Sequence, residues 1–167
     1  MLGKIRKGMD WGLTGICILL FALMILVGTY QIAARYFFHN PSTISEELLT
    51  YSFAWMALFA ASYVFGKREH MRMGFLADKL PARERYLLNI AVECLVFAFA
   101  AAVQFYGGIR IIKLTMSQTT ASLGIPRGSV YLAVPLSGVL TMAYAVLNLA
   151  DLLRRRREFE QRGVDWR

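Results

Sequence analysis

The sequence is poor in the residues that do chemistry. It holds two histidines and two cysteines in 167 positions. Cys17 and Cys94 stand far apart, each inside an apolar run, and supply neither a disulfide framework nor a metal-ligand spacing. In such surroundings a cysteine serves as a small apolar filler. No long apolar run contains a histidine, which excludes a bis-histidine haem bundle. HExxH, CxxC, a phosphate-binding loop and GxSxG are all missing. The adjacent acids Glu46 and Glu47 would point about 100° apart on a helix, a poor start for two-carboxylate acid/base work. No catalytic residue, cofactor site or metal site is therefore assigned, and the chain is not read as an enzyme. Charge is scarce as well. Charged residues make up 18%, against about 25% in a soluble domain. Hydrophobic residues make up 57%, which excludes a disordered chain.

The apolar residues fall in four long runs. Trp11–Ala34, Leu48–Phe65 and Ser129–Ala150 carry no charge, and Tyr86–Ile109 carries only Glu93. A bilayer core takes roughly 20 apolar residues per helix. The expectation is an all-α integral membrane protein with four transmembrane helices, spans 1 to 4, at about 11–34, 48–65, 86–109 and 129–150. Residues 1–167 then form a single four-helix membrane domain, ending in a basic cytoplasmic tail at 154–167. Nothing between the runs is large enough to fold alone. A cleavable signal peptide has an apolar core of about 7–15 residues. The first run is 24 residues long, and it reads as a retained anchor.

The net charge of +8 does not point to nucleic acid, because the basic residues flank the apolar runs. Fifteen of the 19 lie in the amino tail, the middle loop and the carboxyl tail. Only Arg35, Arg110, Lys113 and Arg127 lie in the other two loops. Basic residues are retained on the cytoplasmic side. Both termini are thus expected in the cytoplasm, in the inner membrane of a bacterium, with membrane lipids as neighbours.

Gly8, Gly12 and Gly15 at the start of span 1 invite close helix packing; ordinary glycine in a membrane helix explains them equally. Thr43 and Glu46 fit a capping box for the second helix, and the helix start favours both acids. Arg35 ends span 1 at the depth where Glu47 begins span 2. An Arg35–Glu47 pair is the simplest assignment, and docking of one acid on another protein is the alternative. Trp55 sits mid-span without a headgroup partner, so its indole N–H is expected to face a neighbouring helix and a carbonyl. Met73, Leu76, Ala77 and Leu80 have the spacing of a short amphipathic helix on the inner membrane surface. Pro81 then suits the first turn of the third helix. His70, close to that loop helix, reads as a structural hydrogen-bonder. Asn89, Glu93, Ala100 and Gln104 share a face of span 3. An acid inside a span is functional by default, but Glu93 can also reach headgroup water, or bond as a neutral acid to Asn89 or to a neighbouring helix. Leu123-Gly124-Ile125-Pro126 marks a turn. Pro135 should kink span 4 near its outer end.

Together these residues resemble a family. Arg35-Tyr36-Phe37, then Ser45-Glu46-Glu47-Leu48, then Trp55 look like the first hairpin of the small DctQ-type membrane subunit of tripartite ATP-independent periplasmic (TRAP) transporters. Arg68, His70-Met71, Met73 and Leu80-Pro81 are similar to that family's inner loop. Leu123-Gly124-Ile125-Pro126, Tyr131 and Pro135 resemble its last loop and fourth helix. The likeness runs in order over about residues 10–150. Ile44 stands where an aromatic is common, and Met73-Gly74 replace a usual Val-Asp.

The resemblance implies a role. The chain would be a scaffold subunit that supports a large TRAP membrane subunit, with a periplasmic substrate-binding protein as the third partner. Together they would take up an organic anion, such as a dicarboxylate or sugar acid, with sodium. Arg35, Glu46, Glu47, Trp55, His70, Glu93, Pro126, Tyr131 and Pro135 would be structural or partner-interface positions. A different reading of the residues is a self-contained small multidrug-type exporter coupled through Glu93. A third, a small membrane enzyme working on lipophilic substrates, has only size and span number behind it.

Overall fold

A computed structural model describes residues 2–40, 42–67 and 81–161. Among them the structure is helical: α1 Leu2–Tyr36, α2 Thr43–Lys67, α3 Ala82–Phe99, a π-helical segment Ala100–Gly107, α4 Gly108–Thr115, α5 Arg127–Val130 and α6 Ala133–Gln161. Four stretches are long and apolar enough to cross a membrane: Gly3–Tyr36, Thr43–Lys67, Glu84–Thr115 and Arg127–Arg154. The protein is thus an all-α, multi-pass membrane protein. The expected loop helix at 73–80 and His70 lie outside the described residues.

The helices pack in the order span 1, span 2, span 4, span 3. α2 lies between α1 and α6, while α6 also covers α3 and the π segment. α1 meets α6 only marginally. The result is a row with α6 at its centre. Burial follows that order: 44% of the most apolar stretch of span 4 is buried, against 6% for span 1.

The buried side of α6 is polar and small. Ser137, Thr141, Tyr144 and Asn148 recur at helical spacing, and each is at most 2% exposed. Outward, α1 shows Trp11, Ile18, Leu19 and Leu26, each more than 60% exposed. In lipid this polarity is sensible. Apolar side chains gain nothing by leaving hydrocarbon for a helix interface, so close approach and hydrogen bonds hold the helices instead. Glycines make room where spans 3 and 4 cross. A Cβ on Gly108 would lie 2.8 Å from Pro135 Cδ, and one on Gly138 would lie 2.9 Å from Gln104 Cβ.

Local expectations need correction at four places. The second helix is capped by Ser42, whose Oγ accepts the Ser45 N–H at 3.4 Å. Thr43 is already helical, so Glu46 falls one position beyond that of a capping box. Pro81 precedes α3 at its N-cap. Pro135 does not kink a continuous helix. It occupies the first turn of α6, where a missing N–H costs nothing, and the chain is interrupted four residues earlier at Tyr131–Leu132. Asn89 is exposed while Glu93 and Ala100 are buried, so the supposed polar face of span 3 is split. The three glycines at the start of α1 meet no side chain of this chain: among the described residues nothing lies within 4 Å of a Cβ built at Gly8, Gly12 or Gly15.

Candidate functional site: polar clamps between the spans

The end of the bundle with the two short connections carries the first clamp. The Glu47 carboxylate, on the first turns of α2, faces the loop between α4 and α5. Its Oε2 accepts the N–H groups of Ser122 at 2.9 Å and Leu123 at 2.8 Å. Its Oε1 accepts the Tyr51 hydroxyl at 2.7 Å, one turn along the same helix. The expected Arg35–Glu47 pair is therefore not formed. Arg35 instead donates to Glu46 Oε1 at 2.9 Å, beside Gln31, which donates to the same oxygen at 3.1 Å. With Glu46 at N4, the two acids point to different neighbours, one toward α1 and one toward the loop. The Arg35–Glu46 pair is about half exposed on both sides, so it contributes little by itself.

The loop held by Glu47 is tightly closed. The Thr120 N–H donates to the Ile125 carbonyl at 2.8 Å, and the Arg127 N–H donates to the Gln118 carbonyl at 2.8 Å. Thr119 and Pro126 form an antiparallel bridge. Gly124 turns the chain with φ +66°, a conformation that costs glycine nothing. Charge on Glu47 thus fixes a preformed turn by accepting two of its free amides.

The second clamp sits at mid-bundle. Trp55 Nε1 donates to the Val130 carbonyl at 2.8 Å, as its position in the sequence suggested. The chain break explains why that carbonyl is open. In an unbroken helix Val130 would accept from Val134, but the Val134 N–H donates to Tyr131 instead. The next residue, Pro135, has no N–H to offer. About two turns further along α2, Thr141 Oγ donates to Ser62 Oγ at 3.0 Å, and Ser62 Oγ reaches the Ser137 carbonyl at 3.1 Å.

A third clamp joins three spans at the end that carries the chain termini. Arg6 donates to Asp151 Oδ2 at 3.2 Å, to Asn148 Oδ1 at 3.1 Å and to the Gly66 carbonyl. The Tyr144 hydroxyl donates to Asp10 Oδ1 at 2.6 Å. Sequence reading passed over Arg6, Asp10, Tyr144 and Asn148. The signal was the stripe Ser137, Thr141, Tyr144, Asn148, which repeats every three or four residues within an otherwise apolar span.

Three further singled-out residues lie near these clamps. Pro126 closes the loop bridge, Tyr131 stands at the helix break and is 36% exposed, and Pro135 packs on Gly108. Glu93 is 7% exposed on α3. Among the described residues no group of three or more His, Cys, Asp or Glu side chains could hold a metal ion.

These features define a class. This is a multi-pass membrane protein of four long apolar helices whose polar side chains tie helices to each other and to one loop. Comparison with known proteins then places it. The profile of the DctQ component of tripartite ATP-independent periplasmic transporters matches residues 24–155, and the chain belongs to that family. The sialic acid TRAP transporter small permease protein SiaQ of Vibrio cholerae is 28% identical over 142 residues, covering 80% of this chain and 79% of its own length. The sialic acid TRAP transporter permease protein SiaT of Haemophilus influenzae is 29% identical over 138 residues, covering 83% of this chain but 22% of its own length. The isethionate TRAP transporter permease protein DctMQ of Oleidesulfovibrio alaskensis is 27% identical over 139 residues, covering 78% and 22% respectively.

Proposed function

We propose that this chain is the fixed small subunit of a TRAP transporter. It supports a large membrane subunit in sodium-coupled uptake of an organic anion delivered by a periplasmic binding protein. The observation that carries this is the division of labour within the fold. Polar groups of α6 and α2 lock the helices together, whereas the long apolar flank of α1 is left without cover from its own chain. Such a body suits a stator that a larger partner grips. SiaT and DctMQ support the partnership, because a region like this chain forms about a fifth of a longer permease polypeptide. The bias of basic residues supports an inner-membrane placement with both termini in the cytoplasm.

The test is expression with and without a large TRAP permease subunit from the same source. Under this reading the two chains co-purify from membranes, and proteoliposomes take up substrate only with both chains, the binding protein and a sodium gradient. Uptake by this chain alone overturns it.

A further inference from the structure

We propose that the helix break in span 4 builds a binding slot for one glycerophospholipid, with the lipid phosphate on Arg127 and an acyl chain lying between spans 2 and 4. This goes beyond the transporter reading and does not depend on it.

The slot is a cavity of about 590 Å³ on the flank of the bundle, within the roughly 300–1,000 Å³ of ligand pockets. Tyr51, Ala54 and Leu58 line it along α2, and Ala133 and Tyr131 line it from span 4. Tyr51 to Leu58 covers seven residues, a run of about 10 Å along the helix axis. The slot therefore descends from the helix ends into the apolar layer, as an acyl chain does. Its walls are small because Ala54 and Ala133 carry only methyl groups there. Its depth comes from the interruption at Tyr131–Leu132, where the chain of span 4 leaves the helical path.

Arg127 lines the same cavity where α5 begins, next to the loop that Glu47 holds. The acids of this end are committed elsewhere: Glu46 to Arg35, and Glu47 to Tyr51 and two loop amides. Among the described residues no carboxylate pairs with the Arg127 guanidinium. An arginine at headgroup depth above an apolar slot meets the two halves of a phospholipid in the right order. Its planar fork suits phosphate, which it can bind through two hydrogen bonds. A partner helix would need to bring an acid to that one depth, whereas the lipid supplies phosphate there without design.

The test is native mass spectrometry of the full chain, extracted in mild detergent with whatever partner accompanies it and supplied with palmitoyl-oleoyl phosphatidylglycerol. The wild type is expected to retain one lipid per chain. Arg127→Ala should lower occupancy by about tenfold, and Arg127→Lys should restore part of it. Ala54→Phe, which fills the slot and leaves the cation, should lower occupancy as well. Equal retention by wild type and both Arg127→Ala and Ala54→Phe overturns the assignment. A photo-crosslinking residue at Ala57, also on the slot wall, gives an independent check in native membranes. Capture of phospholipid supports the slot, and capture of a polypeptide overturns it in favour of a partner helix. Co-purification of the large subunit is scored separately in each sample, so failure of the slot is distinguishable from failure of the transporter reading.

Discussion

The ring of Tyr144 fills the space that a side chain on Gly66 would need. A Cβ at residue 66 would lie 2.6 Å from Tyr144 Cε1 and 2.7 Å from Cγ. The same ring sends its hydroxyl to Asp10, and the Gly66 carbonyl takes an Arg6 N–H. One contact between spans 2 and 4 therefore also fixes the start of span 1. Gly66→Ala is expected to destabilise the bundle by about 1–3 kcal/mol, the usual range for overpacking a filled site. Tyr144→Phe keeps the ring and loses one hydrogen bond, so it should cost only about 1 kcal/mol. Unfolding in increasing mole fractions of sodium dodecyl sulfate measures both. Equal stability of Gly66→Ala and wild type would show that the ring has room to move.

Trp55 and Val130 make the second case. The indole N–H satisfies a carbonyl that the break before Pro135 leaves open. Trp55→Phe preserves most of the ring packing, including the edge-on contact with Phe59 at 6.0 Å between centroids. It strands the carbonyl in an apolar layer, at a cost of about 1–3 kcal/mol. The amide I band of carbon-13-labelled Val130 should shift to higher frequency as its hydrogen bond is lost. An unshifted band in Trp55→Phe would mean that another donor serves this carbonyl.

How much of this was readable beforehand divides along a physical line. Span number and approximate position were legible because a bilayer imposes a length of apolar sequence, and Leu48–Phe65 or Ser129–Ala150 meet it without ambiguity. The partner type of Trp55 was legible because a buried N–H must find an acceptor. The identity of partners was not. Glu46 and Glu47 are adjacent, and which of them meets Arg35 depends on where α2 begins. Starting the helix at Thr43 with Ser42 as its cap placed Glu46 toward α1 and Glu47 toward a loop 75 residues away. Sequence distance hid that loop contact, because local spacing carries no information about span order. The inward polar stripe of α6 was hidden differently. Hydropathy averages over a window, and Ser137, Thr141, Tyr144 and Asn148 are diluted there by the lipid-facing residues between them.

The corrected pairing changes what acid substitutions should do. Glu47→Ala removes the acceptor for two loop amides and the Tyr51 hydroxyl, whereas Glu46→Ala breaks a half-exposed pair with Arg35. Amide exchange at Ser122 and Leu123 should therefore rise by about tenfold or more in Glu47→Ala and stay near wild type in Glu46→Ala and Arg35→Ala, because local opening sets protection in a surface loop. Exchange by mass spectrometry of peptides spanning 117–126 reads this directly. Equal acceleration in Glu46→Ala would return the clamp to the Arg35 side of the hairpin.

Ser62 and Thr141 allow a sharper test of how the scaffold is held. Both are at most 2% exposed, and their hydroxyls meet at 3.0 Å between spans 2 and 4. The Ser62 hydroxyl reaches the Ser137 carbonyl at 3.1 Å and its own helix at the Leu58 carbonyl at 3.1 Å. It can donate to one of these at a time, so removing Thr141 leaves Ser62 still satisfied as a donor. Removing Ser62 instead forces Thr141 to find a new acceptor, which a helical threonine has in the carbonyl four residues back. Each single change should thus be buffered, and the coupling between Ser62→Ala and Thr141→Val should fall near about 0.6 kcal/mol and not above about 2. A double-mutant cycle from detergent unfolding gives the value. Coupling of that size would mean that spans 2 and 4 are held chiefly by close packing through Gly66 and the alanines, with the hydroxyl pair setting register. A much larger value would make the hydroxyl pair the principal fastening and would predict that Ser62→Ala alone separates the two helices.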